Sequence, residues 1–206
     1  MNIPIVKPSQ LAEMAFPKFT WRVAGETKIY LTFDDGPIPD VTEWVLETLE
    51  KFNIKATFFC VGENVVKYPE IFKKILAANH SVGNHTYNHL NSWKTDNTRY
   101  IENIALASEV IESKLFRPPY GKIRPSVTNK VLKTHKTIMW DVLSKDYDQD
   151  ITPEECCEIV LKKVSKGSII VFHDSLKAEK NLRYALPKSI EQLLERGFEF
   201  DKLSMV

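Results

Sequence analysis

The chain has 206 residues, 43% apolar and 27% charged, with a formal net charge of +1. That is enough chain for one substantial core and little for two. A near-neutral balance offers no basic field to attract nucleic acid, and no apolar run approaches the roughly 20 residues of a membrane span. The three cysteines, Cys60, Cys156 and Cys157, form neither a disulfide framework nor a Cys-x-x-Cys metal pair.

In residues 1–27, Pro4, Pro8 and Pro17, with Lys7 and Glu13, break every apolar run. No signal peptide is read there, so a cytoplasmic location is expected. This stretch is taken as a leader packed on the domain, with one short helix near Gln10 to Phe16. Residues 28–206 are taken as the domain itself. Ile29 to Phe33 then reads as a buried strand, stopped at Asp34-Asp35 by Gly36-Pro37. The apolar spacing from Asp40 to Phe52 is helical. Ala56 to Val61 is a second buried strand, and Asn64 to Ala78 is helical with Pro69 as a break or a start. Ser81 to Asn84 is a third strand, running into His85.

Thr98 to Leu115 reads as a long helix, Phe116-Arg117 as a short extended segment, and Pro125 to Lys133 as a helix. Thr137 to Asp141 is a strand, and Pro153 to Val164 is a helix entered through Thr152. Cys156 and Cys157 fall on it and suit packing. Ser168 to Phe172 is the clearest strand, Leu186 to Arg196 a helix ended by Gly197, and Phe198 to Phe200 a last strand. About seven strands alternate with helices and no hairpin signal intervenes. The expected fold is a single-domain α/β structure, a closed or nearly closed (β/α) barrel.

Loops after the strands of such a barrel share one face, where catalytic residues collect. Here those loops carry Asp34-Asp35, His85 to His89, Arg117 to Gly121, Trp140-Asp141 and His173-Asp174. Asp before Gly-Pro is ordinary turn chemistry, and a surface histidine pair is usually inert. Two histidines four apart together with a carboxylate are, however, the usual ligand set of a catalytic zinc. His80 and His135 have no such neighbours and are expected to be solvated.

Thr32-Phe33-Asp34-Asp35-Gly36-Pro37, His85-x-x-x-His89, Arg117-x-Pro119-Tyr120 and His173-Asp174 together resemble the polysaccharide deacetylases of carbohydrate esterase family 4, which share the NodB homology domain. The resemblance runs from near Ile29 to the last strand. It implies an irregular (β/α) barrel and a metal-dependent deacetylase of acetylated sugars. Asp35, His85 and His89 would bind the metal, usually zinc, with cobalt or nickel as alternatives. Asp34 would be the general base, His173 the general acid, and Arg117 would hold and tune Asp34. The backbone N–H of Tyr120 would help bind the oxyanion. Relatives often read Trp-Asp-Val-Asp followed by Asp-Trp, where this chain has Trp140-Asp141-Val142-Leu143 and then Asp146-Tyr147. Asp146 matches the aspartate that orients the catalytic histidine. Trp140, Pro119, Val171 and Tyr147 would shape the acetyl pocket, although core packing accounts for the aromatics equally well.

The partner implied is an acetylated carbohydrate, first of all N-acetylglucosamine units. An O-acetyl esterase acting on xylan would use the same site. A non-catalytic sugar-binding barrel would follow had Asp34, a ligand or His173 been lost. Amidohydrolases of small cyclic amides tend to lack the full metal set. No heptad seam or long apolar stretch specifies an oligomeric state.

Overall fold

The strands Tyr30–Asp34 (β1), Thr57–Cys60 (β2), Ser81–Asn84 (β3), Leu115–Phe116 (β4), Lys136–Thr137 (β5), Val142–Leu143 (β6) and Ile169–His173 (β7) form one sheet. In the computed structural model, which describes residues 10–25 and 27–204, their order is β5-β4-β3-β2-β1-β7-β6. Every pairing is parallel. That order is the chain order read around a circle, so the sheet curls into an irregular (β/α) barrel. Its one unpaired seam lies between β5 and β6. The helices are Gln10–Ala15 (α1), Val41–Lys51 (α2), Gly62–Lys67 (α3), Pro69–Ala77 (α4), Asn97–Ser108 (α5), Pro125–Val131 (α6), Pro153–Lys163 (α7) and Glu179–Glu195 (α8). None among the described residues is long and apolar enough to cross a membrane.

Strand alternation divides the barrel into two chemistries. Leu31 and Phe33 of β1, Phe58 of β2, and Ile170 and Phe172 of β7 join the core beneath the helices. Tyr30, Phe59, Leu115, Ile138 and Ile169 form a separate cluster. Each fully buried Leu, Ile or Phe contributes about 1.5–3 kcal/mol of apolar burial. The register Thr32↔Val171 and Asp34↔His173 carries the alternation up to the strand ends, where polar groups replace apolar ones.

Several elements depart from the sequence reading, each for a physical reason. The expected strand Thr137 to Asp141 leaves β4 after Thr137. Ile138 bridges Thr20 instead, and the chain rejoins the sheet as β6 beside β7. The expected strand Phe198 to Phe200 is reduced to one bridge between Phe200 and Ile29, because both edges of β1 are already taken by β2 and β7. The helix expected over Thr98 to Leu115 stops at Ser108, since Leu115 is spent on β4. The helix expected over Asn64 to Ala78 is two, divided at Tyr68. The one expected from Leu186 begins at Glu179 and runs through Pro187. A mid-helix proline costs about 3 kcal/mol, which the buried face of Leu182, Ala185, Leu186, Ile190 and Leu193 offsets. Gly197 at φ +80 closes that helix, with Phe198 N–H reaching the Leu193 carbonyl and Gly197 N–H that of Leu194, a Schellman arrangement.

The first nine residues of the expected leader lie outside the described residues. Its later part sits at the seam. Thr20 exchanges backbone hydrogen bonds with Thr137 and Met139, and Val23 N–H donates to the Gly167 carbonyl. Arg22 donates to Ser165 Oγ and the Lys166 carbonyl, with its Nε 3.7 Å from Asp141 Oδ2. The expectation of solvated His80 and His135 is corrected. His80 is 6% exposed and its Nδ1 accepts the Ala56 N–H. His135 is half-buried with Ser108 Oγ 3.3 Å from its Nε2. Both rings fill space where strands meet helices. Cys60, Cys156 and Cys157 are free and buried.

Candidate active site

At the top of β1 the backbone reverses sharply, and Asp35 adopts φ +85. Asp174 braces the turn: its Oδ1 accepts the Gly36 N–H (3.1 Å) and its Oδ2 the Thr42 hydroxyl (2.6 Å). A Cβ on Gly36 would fall 2.0 Å from Asp174 Oδ2, so only glycine fits. Burial pushes the Asp174 carboxyl up to about 8, against the hydrogen bonds that oppose the shift. Thr86, His89, Tyr120 and Lys145 also have φ near +60. Such left-handed non-glycine residues cost about 1–2 kcal/mol each, and on this face they gather around the polar strand ends.

Asp35, His85 and His89 converge. Asp35 Oδ1 lies 3.8 Å from His85 Nε2 and 3.2 Å from His89 Nε2, and the three ligand atoms all lie within 4.8 Å of one another. Metal bonds of about 2.0–2.2 Å in a tetrahedral arrangement put ligand atoms roughly 3.3 Å apart, so the donors fit a divalent cation. The protonation states fit as well. His85 Nδ1 lies 2.8 Å from the Arg117 carbonyl, which can only accept, so Nδ1 carries the proton and Nε2 presents its lone pair. Burial holds His85 down to about 4, outweighing the attraction of Asp34 and Asp35, so the ring is neutral at ordinary pH. Burial alone would raise the Asp35 carboxyl, but the hydrogen bond with His89 and the charges of His173, His85 and His89 keep it well below the usual carboxylate range.

Asp34 points beside this cluster and is 3% exposed. Arg117, fully buried, donates from Nη1 to Asp34 Oδ1 (2.6 Å) and to Thr32 Oγ1 (2.8 Å). Its Nε and Nη2 donate to the carbonyls of Ile138 and Met139, and the guanidinium lies 4.1 Å over the Phe59 ring. Burial pulls the Arg117 pKa down while Asp34 raises it. Nearly every donor is matched, the condition under which a buried charge is tolerated.

His173 stands across the site. Its Nδ1 lies 2.8 Å from Asp146 Oδ1, and its backbone N–H donates to Asp146 Oδ2. Burial lowers the imidazole, but Asp146, and behind it Asp35 and Asp34, raise it to about 9. Tyr147 packs edge-on to the His173 ring, centroids 5.0 Å apart. Val171 is fully buried below it and Pro119 is buried. The half-buried Trp140 covers Gly121, where a Cβ would strike the indole at 2.5 Å. The Tyr120 ring lies 4.6 Å from that of His89. The twelve residues singled out in the sequence therefore lie on or just beneath one face.

Sequence reasoning missed the asparagines that hold the ligand loops. Asn64 Nδ2 donates to the Asp35 carbonyl (2.8 Å). Asn103 Oδ1 accepts the N–H groups of Tyr87 (2.9 Å) and Asn88 (3.4 Å), and its Nδ2 donates to Asn88 Oδ1. Backbone N–H groups of Gly62 and Glu63 reach the carbonyls of Thr86 and Tyr87. Loosening such support costs about 10–100-fold in metal affinity at related sites. Asn103→Leu is expected to weaken metal binding by that order in a chelator competition, and Asn103→Asp, which keeps the acceptor, by less. Equal affinity in all three proteins would remove Asn103 from the role.

The polysaccharide deacetylase family model matches residues 22–138. Over 194 residues the chain is 32% identical to a peptidoglycan-N-acetylglucosamine deacetylase of Bacillus cereus, covering 90% of this chain and 91% of that protein. Over 201 residues it is 32% identical to a chitooligosaccharide deacetylase of Azorhizobium caulinodans, covering 86% and 93%. Among solved structures it resembles the Bc1960 peptidoglycan N-acetylglucosamine deacetylase, with a TM-score of 0.86, 30% identity, and coverage of 95% of this chain and 94% of that one.

Proposed function

We propose, from the premise that the chain belongs to the polysaccharide deacetylase family, that it hydrolyses the N-acetyl group of N-acetylglucosamine-type units in a glycan, using a divalent metal, zinc first of all. The observation that carries this reading is the cluster of Asp35, His85 and His89 with a paired carboxylate on one side and a carboxylate-held imidazole on the other. A cation held by that cluster supplies Lewis acidity, polarising a carbonyl oxygen and making water more acidic.

The remaining work falls to side chains. Arg117 occupies Asp34 Oδ1, which leaves Oδ2 to take the proton of the attacking water as its oxygen bonds to the acetyl carbon. The backbone N–H of Tyr120 donates to the oxyanion. As the C–N bond breaks, His173 gives its Nε2 proton to the departing nitrogen, which could not leave as an anion. Acetate and a free amine result. Asp146 fixes the ring through Nδ1 and favours the charged form. Trp140 and Tyr147 border the space for the methyl group, and the buried Pro119 and Val171 back it.

The test is acetate release from N-acetylated chito-oligosaccharides by zinc-loaded protein, beside an acetylated xylan. Release from xylan alone would make the protein an O-acetyl esterase; release from neither would overturn the reading. The pH profile tests the acid. With its pKa raised to about 9, His173 holds its proton through the neutral range and loses it as pH rises through that value, so the alkaline limb of kcat/KM belongs above the ordinary imidazole range near 6.5. Asp146→Asn is expected to move that limb to lower pH and to lower kcat. An unmoved limb would detach it from His173.

A further inference from the structure

Three of the four tryptophans are placed by packing: Trp21, Trp44 and Trp140 lie against the apolar clusters. Trp93 does not. It is 55% exposed in the segment that follows the ligand His89, on the face that carries the site. Tyr120, in the loop after β4, is 58% exposed and lies against the His89 ring. The two loops are latched together. Ser92, 1% exposed, accepts the Arg124 N–H at its Oγ (2.9 Å), and Arg124 Nη2 donates to the Trp93 carbonyl (2.6 Å). Asn91 fixes the tip, its Oδ1 accepting the Trp93 N–H and its carbonyl the Lys94 N–H. An indole this exposed, on a backbone held by four hydrogen bonds, is presented and not merely left over.

We propose that Trp93, with Tyr120 nearer the metal cluster, forms an aromatic platform for sugar rings of the glycan beyond the unit being deacetylated. Pyranose rings have an apolar C–H face and a polar rim, which suits a flat ring open to water. The four residue steps from His89 to Trp93 span at most about 14 Å, so the indole is within reach of a neighbouring ring of an oligosaccharide held at the reacting centre. This subsite rests on the glycan-deacetylase reading above and adds to it a preference for longer chains.

The experiment measures binding of N-acetylated chito-oligosaccharides of two and five rings by calorimetry in the Asp34→Asn background, with Trp93 intact or replaced by Phe or Ala. Intrinsic fluorescence is followed in the protein that retains Trp93. The pentamer-to-dimer affinity ratio is expected to fall about tenfold for Trp93→Ala, an order set by one lost ring contact, and by less for Trp93→Phe. The pentamer is expected to perturb the indole emission more than the dimer. Acetate release by the unmodified enzyme is scored separately. Release with an unchanged ratio overturns the platform and leaves the reaction standing. A Trp93-dependent ratio without release upholds the platform and overturns the reaction. Absence of binding at either length overturns the platform.

Discussion

Asp34→Asn is expected to lower kcat by about 10²–10⁴-fold, the contribution of a positioned general base, while the protein still takes up one equivalent of metal. The donors that converge to hold a cation in the proposed reading are Asp35, His85 and His89, and Asp34 stands outside them, so the amide should disturb proton transfer more than metal retention. Asparagine keeps an oxygen for Arg117 Nη1, and Thr32 and the carbonyls of Ile138 and Met139 still receive the guanidinium. The buried Arg117 nevertheless loses its counter-charge. Breaking such a pair outright costs about 3–5 kcal/mol, and the surviving acceptor should keep the loss below that. A melting curve therefore belongs beside the kinetics: a folded, metal-loaded Asp34→Asn protein with near-normal kcat would place the base elsewhere.

The strand-end residues were legible because β-strand alternation and parallel topology force chemistry onto one rim. Asp34 and Asp35 had to lie at a strand end once Ile29 to Phe33 was a strand. His85 reaches the same rim because Ser81–Asn84 pairs in parallel with Thr57–Cys60, with Cys60 opposite Asn84, and Thr57–Cys60 in turn pairs with β1. Leu143 and Tyr147, the departures from the motif that the sequence resembles, did not hide the partner of His173, since Asp146 lies 2.8 Å from its Nδ1. What was illegible depends on contacts without periodicity. Val142–Leu143 is too short to register as a strand, and its partner choice follows from the seam. Asn103 reads as one polar residue on an amphipathic helix, and nothing local says that its amide meets Tyr87 and Asn88. Asp174 reads as the second half of a motif, whereas its carboxyl supports the turn at Gly36 that ends the neighbouring strand β1. His80 misled because its lack of ligand-type neighbours in the sequence gives no sign of burial, whereas the Ala56 N–H needs an acceptor and finds it in the His80 ring.

His85→Ala is expected to abolish metal retention and activity together. His85 is 2% exposed, and its orientation is set from behind by the Arg117 carbonyl, so no water-filled rotamer freedom is available for a substitute. Alanine leaves Asp35 and the partly exposed His89, a pair too sparse to hold a labile cation against a chelator, and it strands the carbonyl that Nδ1 had satisfied. Both effects act on the same loop through different bonds, and they can be separated without assaying turnover. A cation that binds only the folded protein stabilises it by about 2.7 kcal/mol at one hundred times its dissociation constant. Zinc should therefore raise the melting temperature of the unmodified protein and leave that of His85→Ala where it was. If the variant melts lower without zinc as well, the difference between the two metal-free proteins measures the stranded carbonyl and the cavity, and the zinc-dependent increment measures the ligand. A variant that keeps the full increment would show that His85 is a core residue, and the cluster would have to be rebuilt around His89 and the two aspartates.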